Sequence, residues 1–89
     1  MKGVASHKVE GGKLVEAEVE VKEGVIVGIN VTGDFFLHPE ESISRLEESL
    51  RGTRVSEANK VVESFFQSGV KAYGVDAESV KKVILEASK

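Results

Sequence analysis

The sequence has no cysteine and no tryptophan, one proline, one tyrosine and two histidines. Without a thiol there is no disulfide, no thiolate metal site, no sulfur-ligated cluster and no cysteine nucleophile. His7 and His38 lie far apart in the chain, and neither has a partner at metal-ligand spacing. Asparagine and glutamine are scarce (Asn30, Asn59 and Gln67), which fits a protein exposed to heat. A basic excess is missing too. Twelve Lys and Arg stand against fifteen Asp and Glu, a net charge of −3, which argues against a nucleic-acid partner. No apolar run approaches the roughly 18 residues of a membrane span, so no membrane partner is expected. No signal peptide is visible, and the expected compartment is the cytoplasm.

What is present is ordinary globular composition, 40% hydrophobic and 30% charged over 89 residues. That length predicts one domain over residues 1–89, with a stability of about 4–13 kcal/mol.

The chain changes period half-way. From Lys13 to Lys22, Val15, Ala17, Val19 and Val21 alternate with Glu16, Glu18, Glu20 and Lys22. Period two predicts a strand with one face buried and one in water. A second run, 25–32, carries Val25, Ile26, Val27, Ile29 and Val31. A two-residue loop at Glu23-Gly24 would set Val19 opposite Gly28 and Ala17 opposite Asn30, scattering the buried face. A three-residue loop sets Val21 opposite Val25, Val19 opposite Val27, Ala17 opposite Ile29 and Val15 opposite Val31. Register follows the buried face, so the three-residue loop is expected, with Gly24 left-handed. Upstream, Val4–Val9 is a weaker strand. A three-residue loop there pairs Val9 with Lys13, His7 with Val15 and Ala5 with Ala17, with Gly12 left-handed.

The second half has helical period. Pro39-Glu40-Glu41 marks a helix start, with Ile43, Leu46 and Leu50 inward and Gly52 as its stop. Ser56 is placed to cap a second helix, whose face is Ala58, Val61, Val62, Phe65 and Phe66. Asp76 is placed to cap a third, with Val80, Val83, Ile84 and Ala87 inward. Gly69–Val75 is a connector that could hold a short extended piece. The predicted fold class is α+β: a three-stranded antiparallel meander followed by about three helices on one face.

Chemical motifs are sparse. His7 falls on the buried side of its strand and reads as structural, and His38 reads as the residue leading into the first helix. Glu16, Glu18 and Glu20 form a solvated comb rather than an acid–base pair. Gly11-Gly12-Lys13 has backbone N–H groups and an ammonium, but it lacks the strand–loop–helix setting of a phosphate loop and reads as a hairpin turn. One stretch resists a plain core reading. In Asp34-Phe35-Phe36-Leu37, adjacent phenylalanines on an extended chain cannot enter one pocket; one reading puts one ring in the core and one toward a partner, and the equal alternative packs both rings around the sheet edge.

Gly11-Gly12-Lys13-Leu14-Val15, the turn at 22–24, Val31-Thr32-Gly33-Asp34-Phe35-Phe36-Leu37 and Leu50-Arg51-Gly52 together resemble the accessory, C-terminal-type domain of lipoate–protein ligases. The resemblance runs over roughly residues 2–88, and Gly-Asp-Phe-Phe is its most specific part. At this length the chain is similar to the separate small subunit of the two-part archaeal, Thermoplasma-type enzyme. The resemblance implies a fold like the iron–sulfur scaffold and sulfur-acceptor proteins, without their cysteine chemistry. It also implies a heterodimer with a large catalytic subunit that activates lipoate with ATP to lipoyl-adenylate. ATP, magnesium and lipoate would then sit on that subunit, with no catalytic, cofactor or metal residue here. The expected partner surface is Gly11, Gly12, Lys13, Asp34, Phe35 and Phe36. The outer sheet face with Leu14 and Ile26 is the alternative surface. A general interaction module unrelated to lipoylation is the alternative function, and a small enzyme is a third.

Overall fold

The computed structural model describes residues 1–9, 11 and 13–89. Three long strands, β1 (Lys2–Val9), β2 (Lys13–Lys22) and β3 (Val25–Gly33), form an antiparallel sheet with β2 in the centre. A short strand β4 (Phe36–His38) leads to helix α1 (Ser42–Leu50). A single 3-10 turn, Val55–Glu57, runs into α2 (Ala58–Phe66). Strand β5 (Lys71–Tyr73) and helix α3 (Ala77–Ala87) complete the chain. The α+β class and the meander are as the sequence predicts.

The β1–β2 register is the one argued from parity: Val9 opposite Lys13, His7 opposite Val15 and Ala5 opposite Ala17. The conformation assigned to Gly12 lies outside the described residues. The β2–β3 register differs from expectation. The loop has two residues, with Lys22 opposite Val25 and both Glu23 (φ 52) and Gly24 (φ 78) at positive φ. That is the geometry of the tight turn whose twist matches the strands. Gly24 is left-handed as predicted, but in a shorter turn.

The scattered face that this loop implies is repaired by a bulge. Val21 lies opposite Ile26 and Glu20 opposite Gly28, so Val27 has no partner of its own. One extra residue re-phases the strand. Ile26, Ile29 and Val31 are all buried although 26 and 29 differ in parity, and Val27 is left in water. Val19 therefore meets Ile29, and Ala17 meets Val31. Ile26, which the alternative surface placed outside, is fully buried for the same reason.

Helix α1 starts at Ser42, three residues after Pro39, and Glu41 precedes it without a side-chain cap. Residues 36–38 are held in β4 first, so His38 is an exposed strand residue opposite Lys71 rather than the residue leading into the helix. Leu46 and Leu50 are buried and Ile43 is packed at the margin. Ser56 caps nothing; it sits inside the 3-10 turn that precedes α2. Ala58, Val62 and Phe65 are buried, while Val61 and Phe66 flank them. The α1 carboxylate of Glu47 reaches the sheet and accepts a 2.8 Å hydrogen bond from the Val31 N–H. Beside it, Thr53 accepts from the Ile26 N–H at 2.9 Å, and the Gly52 N–H donates back to Ile26 at 2.7 Å.

Helix α3 is as read from the sequence. Val80, Val83, Ile84 and Ala87 are buried, packed over β1 and β2. Asp76 caps it, with Oδ1 accepting from the Ser79 N–H at 2.8 Å. That backbone hydrogen bond, then the Ser79 side chain, lowers the Asp76 pKa below its ordinary value. A depressed carboxylate contributes stability above its unfolded pKa and loses it as pH falls through the folded one. Asp76→Ala should cost about 0.5–2 kcal/mol, the usual range for a lost N-cap. The deficit should shrink as pH falls below about 3.8, where Asp76 of the unfolded chain takes up a proton that the folded cap still resists. Urea melts of both proteins from pH 7 to pH 3 check this.

Candidate interaction surface

The end of the meander that carries the β1–β2 hairpin also carries the exit of β3. Val15 pairs with Gly33, and the Asp34 N–H donates to the Leu14 carbonyl at 2.9 Å. The chain then turns into β4, which pairs with β5: Phe36 opposite Tyr73, Leu37 opposite Ala72, His38 opposite Lys71. Leu37 is buried and Ala72 packs on the core, so Phe36, His38, Lys71 and Tyr73 form the ribbon's outward face.

Three of the predicted surface residues meet around Gly74. A Cβ built there would lie 3.0 Å from the Asp34 carbonyl oxygen, 3.3 Å from Lys13 Cγ and 3.5 Å from Phe35 Cα. Gly11 is exposed in the hairpin, and Gly12 lies outside the described residues. The two phenylalanines part, one inward and one outward, rather than both packing around the sheet edge. Phe35 is half-buried against the core, whereas Phe36 is 49% exposed. Phe36 stacks obliquely on Tyr73, with ring centroids 6.2 Å apart and planes at 41°.

Sequence reasoning missed Tyr73, Lys71, Glu40 and the inward role of Leu37. The usable signal was the matched out-in-out pattern of Phe-Leu-His and Lys-Ala-Tyr. Phe35, Phe36, Leu37, Glu40 and Ile43 line a groove of about 190 Å³ between β4 and α1.

A larger cleft of about 520 Å³ lies between β1 and α3, lined by residues that include His7, Asn59, Asp76, Lys81 and Lys82. Some of its charges already have partners. Lys81 Nζ sits 2.5 Å from Glu63 and 3.1 Å from Glu78, and the Glu63 hydrogen bond chiefly raises its pKa. Asp76 is held by Ser79. Half-buried His7 lines the same cleft. Among the described residues no three His, Asp or Glu side chains gather as a metal site, and no helix is long and apolar enough to cross a membrane.

Residues 4–84 match the family described as bacterial lipoate protein ligase C-terminus. The chain belongs to this lipoate protein ligase C-terminal family. Within curated relatives it is 37% identical over 65 residues to "Lipoate-protein ligase A subunit 2" of Thermoplasma acidophilum, covering 73% of this chain and 69% of that protein. Its fold superposes on a chain from the solved structure of an archaeal lipoylation system, described as a bi-partite lipoate protein ligase and its E2 lipoyl domain from the same organism. The TM-score is 0.82 at 30% identity, covering 94% of this chain and 97% of that one. The Gly-Asp-Phe-Phe step of this family member is thus the strand-to-ribbon corner of its fold.

Proposed function

We propose that the chain is the accessory subunit of a bipartite lipoate–protein ligase, binding a separate large catalytic subunit in the cytoplasm and enabling it to convert lipoate and ATP to lipoyl-adenylate. The similarity to subunit 2 of a two-subunit ligase, at a TM-score of 0.82 over 94% of the chain, carries this reading. ATP, magnesium and lipoate belong on the catalytic subunit, and this chain supplies no reacting group. Its contribution is conformational. To activate its partner it must bind the adenylation-competent state more tightly than the other, since equal affinity for both states shifts nothing. Lys13, Asp34, Phe35 and Phe36, gathered at one end of the meander, offer the surface for that contact.

The test is a pyrophosphate-release assay with lipoate, ATP and magnesium. The isolated chain should form no lipoyl-adenylate. Added to the catalytic subunit, it should raise adenylation about 5–150-fold, the span of a coupling of 1–3 kcal/mol. Adenylate made by this chain alone would overturn the accessory role.

A further inference from the structure

We propose that the groove between β4 and α1 receives one large apolar side chain of the catalytic subunit, flanked by a basic residue that faces Glu40, with Phe36 and Tyr73 covered around it. This inference rests on the accessory role proposed above and says where and how the two subunits join.

The size of the groove excludes one class of occupant. At about 190 Å³ it falls below the roughly 300–1,000 Å³ of small-molecule sites. It suits a single anchoring side chain of the kind that dominates protein interfaces. The lining states the chemistry of that anchor. Phe35, Phe36, Leu37 and Ile43 are apolar, and Glu40 is the one charged group among them. An apolar residue fills such a groove, and a neighbouring Lys or Arg pairs with the carboxylate at its rim.

The aromatic distribution singles out the same place. The chain has four phenylalanines and one tyrosine. Phe35, Phe65 and Phe66 are buried or half-buried, while Phe36 and Tyr73 remain 49% and 58% exposed. The two exposed rings are neighbours across a strand pair. Aromatics are enriched at interface cores, where they bury much area at small entropic cost. Backbone pairing of β4 with β5 fixes both rings in advance, which lowers the ordering cost of association.

The experiment titrates the catalytic subunit with this chain, reading complex formation by calorimetry and adenylation rate in parallel. Phe36→Ala should weaken binding at least about tenfold, a conservative figure for a truncated aromatic anchor. Half-maximal stimulation of adenylation should require correspondingly more of this variant than of the wild type. Tyr73→Ala should weaken binding in the same direction. Glu40→Lys should weaken it more than Glu40→Gln, because it sets two like charges together. Val27→Ala, exposed on the bulge, should bind as the wild type. Both rings lie on the surface, so the variants should fold, and circular dichroism melts verify that. If Phe36→Ala and Tyr73→Ala bind like the wild type, the groove is not the joint, even where the mixture still makes adenylate. Binding with the expected variant losses but no stimulation would sink the accessory role while leaving the groove as the contact. Self-association of this chain in sedimentation, abolished by Phe36→Ala, would overturn the assignment of the occupant.

Discussion

Gly33→Ala should strongly destabilise the fold. Gly33 adopts φ 151, and a Cβ there would collide with the backbone carbonyl of Leu14 on the neighbouring strand. Neither backbone can move freely. Val15 pairs with Gly33, and the Asp34 N–H is bonded to that same carbonyl. Backbone strain of this kind costs about 1–3 kcal/mol, and forcing a methyl into a packed contact costs about 1–3 more. A loss of about 2–6 kcal/mol is a large share of the about 4–13 kcal/mol available to a domain of this size. Gly28→Ala is the matched control. A Cβ at Gly28 meets only the Glu20 side chain, at 3.7 Å and beyond. It should be neutral or stabilise by up to about 1 kcal/mol through the unfolded chain. Thermal melts followed by circular dichroism separate the two, and equal melting temperatures would show that the corner at Gly33 yields.

Ile84→Ala should be the most costly of the core truncations on α3. Ile84 is fully buried where the helix lies over β1 and β2. Removing its outer carbons leaves a cavity that the two flanking layers fill only in part, at a cost of about 2–5 kcal/mol. The adjacent Leu85 is 38% exposed, and Leu85→Ala should change stability by no more than about 0.5 kcal/mol. Urea titration reads both as midpoint shifts at an unchanged slope. A small loss at Ile84 would mean that the helix settles into the space it vacates.

Where an element is long and its ends are marked, the sequence was enough. Helix α3 carries a cap at Asp76 and four inward residues in helical step, so both its start and its buried face could be read. The β1–β2 register followed from alternation alone. The β2–β3 register did not, because period-two reasoning assumes an uninterrupted strand, and the bulge at Val27 breaks that assumption. The short tight turn was rejected for the disorder it implied, and the bulge is what removes that disorder. Strand β4 escaped notice, and β5 was foreseen only as a short extended piece of the connector, since three residues hold too little periodicity to separate strand from coil. The candidate surface was legible in part. Adjacency on an extended chain says that Phe35 and Phe36 cannot share a pocket but not which of them is exposed, whereas Tyr73 reaches Phe36 only through a pairing between residues far apart in sequence.

The hydrogen bonds from α1 and the loop after it to β3 bear on fibre formation. Growth by edge-to-edge strand addition requires every molecule to offer two free sheet edges, one to accept a neighbour and one to be accepted. In this fold the outer side of β3 is occupied at Ile26 by Gly52 and Thr53, and at Val31 by the Glu47 carboxylate. A strand approaching from that side would first have to evict them. Addition at β1 alone ends at a pair, since a heterologous contact must repeat to make a filament. The native sheet is thus capped against runaway polymerisation, and detachment of α1 is the event that would remove the cap.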